Sequence, residues 1–155
     1  MDFAKAFDKV PHKRLISKLK IYGISDQITN WITSFLANRT QTVLLENTTS
    51  EKIAVTSGVP QGTVLGPILF LMVIYINDLP DYIKHSQIRL FADDSIIYRP
   101  IKTQADCIKL QEDLESAVKW EQDWLMAFHP DKCNILRVAT KISPQHFYYN
   151  MHGTS

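Results

Sequence analysis

Cysteine and long apolar runs are both scarce in this 155-residue sequence, and each scarcity excludes a class of protein. The two cysteines, Cys107 and Cys133, are too few for a disulfide scaffold and lack the spacing of a zinc site. We therefore expect reduced thiols in an intracellular protein. The longest apolar run, residues 68–76, is shorter than the ~20 residues that span a bilayer, which predicts a buried helix and no membrane partner.

An excess of charge of one sign is also lacking. The chain has 17 basic and 16 acidic residues, so its net charge of +1 does not by itself indicate a nucleic-acid partner. The first twenty residues nevertheless carry six basic side chains, opposed only by Asp2 and Asp8. This local patch could face a phosphate backbone, or it could be a solvated helix face.

Apolar spacings of three and four predict helices, and β-branched or alternating runs predict strands. The first predicted helix is 12–22, which Gly23 ends, and the second follows the Ser25 cap with an apolar face at Ile28, Trp31, Ile32, Phe35 and Leu36. The run 58–62, with two glycines and a proline, predicts a loop before a buried helix from Leu65. A long helix is predicted from Thr103, where Asp106 completes a capping box, to Pro130, with a stripe at Ile108, Leu110, Leu114, Ala117, Val118, Leu125 and Phe128. The predicted strands are 41–46, 52–56, 89–92, 95–98 and 135–138, with a turn at 47–50. This order predicts an α+β domain whose antiparallel sheet has helices packed on one face.

Two adjacent carboxylates, Asp93 and Asp94, fall at the tip of a predicted hairpin. Like charges this close repel unless a cation neutralises them. A hard divalent ion such as Mg²⁺ is the natural partner, and a third carboxylate on a neighbouring strand would allow two ions about 3.5–4 Å apart. Exposed turn residues without a ligand are the alternative interpretation.

Four segments in order narrow these alternatives: Asp2-Phe3-Ala4-Lys5-Ala6-Phe7-Asp8, Gly58-Val59-Pro60-Gln61-Gly62-Thr63-Val64-Leu65-Gly66-Pro67, Phe91-Ala92-Asp93-Asp94 and Pro130-Asp131-Lys132. Their order and spelling resemble motifs A to D of the reverse transcriptase palm, closest to non-LTR (LINE-type, jockey-like) retrotransposons. His129 stands where the family commonly has Asn, and Thr63 where it usually has Ser. The resemblance covers residues 1 to 138 and implies a palm-like fold.

The resemblance assigns a catalytic role to four residues. It implies that Asp2, Asp93 and Asp94 are catalytic and hold two Mg²⁺ ions, with Mn²⁺ as an alternative ion. Asp94 matches the more peripheral of the motif C carboxylates. Lys132 matches a motif D lysine that protonates the leaving pyrophosphate, a general-acid role generally worth about 10²–10⁴-fold in rate.

The resemblance also implies contacts with the incoming nucleotide. The Phe3 carbonyl would assist at the second metal, and the Phe7 ring would exclude a 2′-hydroxyl and so select dNTPs over NTPs. Gln61 would contact the nucleotide and the template base. Gly58 and Gly62 would let the backbone approach the nascent base pair.

The resemblance thus implies an RNA-directed DNA polymerase that acts on an RNA template and a DNA primer, in the cytoplasm and the nucleus. We expect residues 1–139 to be a partial palm domain lacking fingers and thumb, and residues 140–155 to be an irregular tail. The remaining partners would be the rest of a parent polyprotein, including fingers, thumb and an endonuclease domain. Three alternatives stay open: a catalytically silent remnant that binds nucleic acid or protein, a two-metal nuclease, and a zinc site from His129, Cys133 and His146.

Overall fold

The chain combines five α-helices with short antiparallel sheets in the computed structural model, which describes residues 1–72, 76–91, 93–139 and 146–152, with only the backbone of residues 71 and 72. These residues form two compact units. One unit contains Lys5–Ile76, and the other joins Met1–Ala4 to Asn77–Ser155. No helix among the described residues has the length and apolar character needed to cross a membrane.

The unit Lys5–Ile76 begins with the two predicted helices, α1 (His12–Ile21) and α2 (Asp26–Leu36). Ser25 caps α2, as expected, by accepting the N–H of Ile28. The predicted apolar face of α2 was partly wrong. Its buried residues are Thr29, Ile32 and Leu36, whereas Ile28 and Trp31 are exposed, because only a narrower stripe of this helix is covered.

The predicted hairpin forms, but its turn lies earlier than expected. Strand β1 (Thr40–Gln41) pairs with β4 (Ile53–Ala54), and β2 (Leu44–Leu45) pairs with β3 (Thr48–Thr49). The turn is therefore Glu46-Asn47, not 47–50. Both residues have positive φ, the backbone that a two-residue type I′ turn requires, and Asn tolerates it well.

The glycine-rich segment after β4 is a loop, as predicted, and helix α3 (Leu65–Pro67) follows it. The Thr63 hydroxyl donates to the Pro60 carbonyl (2.8 Å) and accepts the Gly66 N–H (3.0 Å). Any hydroxyl at this position can brace the turn, so Thr replaces Ser here without loss of the bonds. The helix continues as a π-helical segment, Ile68–Met72, and the rest of the predicted apolar helix partly falls on residues 73–75, outside the described ones.

The second unit contains a short helix, α4 (Leu79–Tyr82), and the predicted carboxylate hairpin, β5 (Gln87–Phe91) and β6 (Asp94–Tyr98). The N-terminal residues extend this sheet: Met1 and Ser95 exchange backbone hydrogen bonds, and Asp2 bridges Asp94. On the other side, Phe3 bridges Phe128. The segment 1–4 is thus a central strand between β6 and the segment 127–129.

Helix α5 (Gln104–Trp124) packs against α4 and supplies the core beneath this sheet. The predicted capping box is present, since Asp106 accepts the Thr103 N–H (3.0 Å). Arg99 and two backbone N–H groups hold the pKa of Asp106 well below its ordinary value. Trp120 of α5 is fully buried, with its ring 5.7 Å from that of Phe3, which in turn stacks on Phe128 at 4.6 Å.

Three predictions about this region were wrong. Helix α5 ends at Trp124 rather than at Pro130, because Leu125 adopts a left-handed backbone and frees residues 127–129 to pair with the sheet. The apolar stripe is rotated, since Ile108 and Leu125 are exposed while the polar Asp113 and Glu121 are buried. Residues 135–138 form no strand, and the side chains of Leu136 and Val138 are largely exposed.

Asp113 is a buried carboxylate that fixes the loop before β5. Its Oδ1 accepts the backbone N–H groups of Lys84 (2.8 Å) and His85 (3.1 Å). Burial raises the pKa of Asp113, but the neighbouring Ser86 hydroxyl and the two N–H groups bonded to it outweigh burial, so the net shift is below the ordinary value of 3.8.

The described part of the C-terminal tail, residues 146–152, has no helix or strand but is attached to α5. Gln111 and Asn150 exchange two hydrogen bonds of 2.9 Å between side chain and backbone. Burial and the Cys107 thiol raise the pKa of Tyr149 to about 12. His152 Nε2 lies 3.0 Å from Glu121 Oε2.

Both cysteines, Cys107 and Cys133, are free, as expected.

Candidate active site

Asp2 is the centre of a polar row on one face of the sheet. It stands opposite Asp94 on one side and opposite His129 on the other, whose backbone N–H donates to the Asp2 carbonyl (2.8 Å). Cross-strand partners present their side chains on the same face of a sheet. Because Phe3 and Phe128 face the core, Asp2, Asp94 and His129 share the opposite face.

Lys132 supplies the cation of this face. It lies in a single 3₁₀ turn, Pro130–Lys132, that follows the segment 127–129 directly. Its Nζ is 2.7 Å from Asp2 Oδ2, and its side chain is 59% exposed against 17% for Asp2. The hydrogen bond and the charge of Asp2, and then the charges of Asp93 and Asp94, raise the pKa of Lys132. Lys132 thus contacts Asp2 directly and is influenced more weakly by the charges of Asp93 and Asp94.

Asp93 lies in the turn between β5 and β6, and Asp94 is the first residue of β6. Ala92, the small residue of that motif, lies outside the described residues. Within the described part of the chain, no three His, Cys, Asp or Glu side chains are already arranged to hold one metal ion. Asp2 and Asp94 are neighbours because they stand opposite each other in the sheet, and Asp2 Oδ2 contacts the ammonium group of Lys132.

The side chain of Phe3 does not lie on this face, and its carbonyl lies in the plane of the sheet. Its ring is 2% exposed and belongs to the core. Carbonyl groups alternate in direction along a strand, and the Asp2 carbonyl accepts from His129. The Phe3 carbonyl is thereby directed to the opposite side, where β6 begins.

The other sequence-predicted substrate residues belong to the unit Lys5–Ile76. The Phe7 ring is half-buried and packs on the buried Phe70, with ring centroids 4.5 Å apart. Gln61 is exposed, and its Nε2 donates to Asp8 Oδ1 (3.2 Å). Within this unit the structure thus brings Gln61 to the end of the segment that contains Phe7 and Asp8.

The two loop glycines have different surroundings. A Cβ at Gly58 would lie 2.7 Å from the Asp8 carbonyl oxygen, and φ is +86°. The loop is held at this close approach by the Gly58 N–H, which donates to Val10 O (2.8 Å), and by His12 Nε2, which donates to Gly58 O (2.8 Å). Gly62 also has positive φ, but a Cβ added there would meet no atom within 4 Å, so the space beside it is open.

Two participants were not predicted from the sequence. The segment 127–129 was assigned to a helix, although Pro130, which disfavours helical backbone at the residue before it, was a signal that the helix ends earlier. Consequently His129 was noted as a departure from the family and as a candidate zinc ligand, and its position beside Asp2 was missed. Its Nδ1 is enclosed, with no hydrogen-bond partner among the described residues.

The described residues thus include a hairpin with two carboxylates, a neighbouring strand with a third, and a lysine in contact with that third carboxylate. The family model described as reverse transcriptase (RNA-dependent DNA polymerase) matches residues 1–148, and the chain belongs to this family.

The relatives of the chain are polymerases of mobile elements. It is 30% identical over 149 residues to the RNA-directed DNA polymerase from mobile element jockey of Drosophila melanogaster, covering 91% of the chain and 16% of that protein. It is 26% identical over 151 residues to the retrovirus-related Pol polyprotein from type-1 retrotransposable element R2 of Popillia japonica, covering 90% of the chain and 24% of the polyprotein. The chain thus spans a quarter or less of the length of either relative, and both belong to the retroelement group that the motifs resemble.

Proposed function

We propose that this chain carries the palm-like catalytic part of an RNA-directed DNA polymerase. It would join dNTPs to a primer 3′-hydroxyl on an RNA template by nucleotidyl transfer with two divalent metal ions. The observation that carries the proposal is the 2.7 Å ion pair of Asp2 with Lys132, with Asp94 opposite Asp2 across the sheet and Asp93 next to Asp94 in the turn. Such an enzyme would meet its RNA in the cytoplasm and its target DNA in the nucleus.

The residues on this face fit divalent ions by their chemistry. Carboxylate oxygens are the ligands that Mg²⁺ prefers, and Mg²⁺ is usually held by one or two of them together with substrate phosphates. Asp2 and Asp93 would hold the ions, with Asp94 more peripheral and the Phe3 carbonyl assisting. When bound, the ions would polarise the primer 3′-hydroxyl and neutralise the charge that develops on the phosphates.

Lys132 would have two roles that follow from its position. In the absence of an ion its Nζ neutralises Asp2, which offsets the repulsion among the three carboxylates. With the Asp2 carboxylate engaged in metal binding, the long exposed side chain of Lys132 would be free to turn towards the leaving pyrophosphate and donate a proton from Nζ. Its raised pKa keeps the amine protonated until then.

The unit Lys5–Ile76 would bind the nucleotide. The Phe7 ring, held from behind by Phe70, would present a rigid edge that rejects a 2′-hydroxyl. Gln61 is exposed and can exchange its bond to Asp8 for a base or sugar contact. The open space beside Gly62 suits close approach of a base pair, whereas the space beside Gly58 is filled by the Asp8 backbone.

Metal binding by the purified chain tests the site directly. Mn²⁺ binding followed by electron paramagnetic resonance should weaken by more than about tenfold in Asp2→Asn and in Asp93→Asn, since even outer partners of metal ligands are worth about 10–100-fold. Asp123→Asn is the matched control, because Asp123 is an exposed carboxylate that accepts a long 3.3 Å bond from Tyr82 and lies outside the proposed site. Unchanged Mn²⁺ binding in both site variants would contradict the proposal.

Primer extension on an RNA template with a DNA primer tests the reaction. Extension that is lost in Asp93→Asn and kept in Asp123→Asn supports a polymerase, and primer degradation with the same dependence would indicate a nuclease instead. A silent nucleic-acid-binding remnant is the second candidate, favoured by the exposed basic residues Lys13, Arg14 and Lys20 of α1. It predicts salt-dependent RNA binding without extension.

A further inference from the structure

Glu121 is a buried carboxylate on the last turn of α5, on the core side of the sheet and outside the site described above. It is 9% exposed, and ionised side chains this buried are nearly always paired. Its Oε1 accepts the backbone N–H of Phe128 at 3.1 Å, in a buried bond. Its Oε2 lies 3.0 Å from His152 Nε2 in the C-terminal segment.

The bond to Phe128 fixes the segment that borders Asp2. Residues 127–129 follow a helix end in which Leu125 has a left-handed backbone and the Met126 N–H returns to the Glu121 carbonyl (3.1 Å). Neither the helix nor a hairpin turn sets the register of such a short segment. The Glu121 side chain does so by holding the N–H of its middle residue.

The same segment then positions the metal face through two further bonds. The Ala4 N–H donates to Ala127 O (2.7 Å), and the His129 N–H donates to Asp2 O (2.8 Å). The Phe128 N–H cannot join this ladder, because Phe3 and Phe128 are a pair whose own backbone groups point away from each other. Without Glu121 that buried N–H would lack this acceptor, a costly state that would loosen the strand beside Asp2.

We propose that Glu121 is a positioning residue for Asp2, acting through residues 127–129. The proposal rests on the proposed function for its metal readout, but its backbone readout does not. If residues 127–129 shifted, the paired segment 1–4 would shift with them, and Asp2 would move away from Asp94. The reach of Lys132, which begins three residues after His129, would change as well.

Amide hydrogen exchange of the metal-free chain tests the backbone part. Glu121→Ala should speed exchange of the Phe128 and His129 amides by about tenfold or more, since the buried Phe128 N–H loses its acceptor. Glu121→Gln keeps an acceptor of the same shape and should restore slow exchange at Phe128. Glu115→Gln is the matched control on the exposed face of α5, where Glu115 accepts from Gln111. Unchanged exchange at Phe128 in Glu121→Ala would overturn the proposal.

Mn²⁺ affinity separates positioning from a general loss of stability. We expect Glu121→Ala to weaken Mn²⁺ binding by about tenfold, the lower end of the effect of outer partners. Asp113→Asn, which destabilises the same unit through a different loop, should leave the affinity unchanged. Equal losses of affinity in the two variants, or no loss in Glu121→Ala, would overturn a positioning role. If the wild-type chain binds Mn²⁺ independently of Asp2 and Asp93, the proposed function fails while the exchange result still decides the backbone part.

Discussion

Substitution of Gly58 by alanine tests how the glycine-rich loop is attached within the unit Lys5–Ile76. The added Cβ would lie 2.7 Å from the carbonyl oxygen and 2.8 Å from the Cα of Asp8, and backbone atoms cannot turn aside as a flexible side chain can. The left-handed backbone costs a non-glycine residue about 1–2 kcal/mol, of which about 0.4–1 kcal/mol is returned by the stiffer unfolded chain. Crowding in a packed site adds about 1–3 kcal/mol. We expect Gly58→Ala to lower the free energy of unfolding by about 2–4 kcal/mol.

Gly23→Ala is the matched control for this substitution. Gly23 has a similar φ of +73°, but no atom lies within 4 Å of the new Cβ, so only the backbone cost of about 1 kcal/mol applies. Urea unfolding followed by circular dichroism gives both values from the midpoints and slopes. If Gly58→Ala is no less stable than Gly23→Ala, the loop does not approach the Asp8 backbone this closely, and the steric reasoning is refuted.

Three further substitutions test the unit that contains the carboxylates. Asp113→Asn should cost about 1–3 kcal/mol, because it weakens a buried charged acceptor of two backbone N–H groups. Because folding lowers the pKa of Asp113, its ionised carboxylate stabilises the fold fully above its ordinary pKa of 3.8, and this stabilisation is lost as the pH falls through the pKa of the folded state. The difference in urea midpoint between Asp113→Asn and the wild type should therefore shrink at low pH. An equal difference at every pH would contradict this. Leu125→Gly should be neutral or stabilising by up to about 1 kcal/mol in thermal unfolding, because Leu125 is 59% exposed and left-handed; a clear loss would refute the cap geometry. Phe3→Ala should cost about 3–5 kcal/mol in urea unfolding, because its ring is buried against Phe128 and Trp120, and a loss below about 1 kcal/mol would contradict that packing.

Local signals predicted those elements that local chemistry decides. Ser25 at a helix start and the Thr103–Asp106 capping box set the beginnings of α2 and α5, and both are present. Gly23 and the run around Gly58 ended regular structure where expected. In each of these places a single side chain, or its absence, satisfies or frees backbone groups of its close neighbours.

Predictions failed where partners distant in sequence decide. Ile28 and Trp31 fit a helical stripe, yet they are exposed because the apolar surface that covers α2 is narrower than the stripe. Asp113 and Glu121 are polar residues that interrupt the predicted apolar stripe of α5, yet they are buried. Each accepts a backbone N–H from outside the helix, 28 residues away for Asp113 and 7 residues away for Glu121. The segment 127–129 is not helical because it pairs with the strand that contains Phe3.

The carboxylates, the lysine and the glycines of the candidate site were predicted from the sequence alone, because their types and their order along the chain carry the family resemblance. The position of His129 beside Asp2 was not predicted. The tertiary structure decided which of them meet: the register places Asp94 and His129 beside Asp2, and a single 3₁₀ turn returns Lys132 to its carboxylate. Such contacts depend on strand register, which shifts every side chain to the other face when it slips by one residue, and no local pattern specifies it.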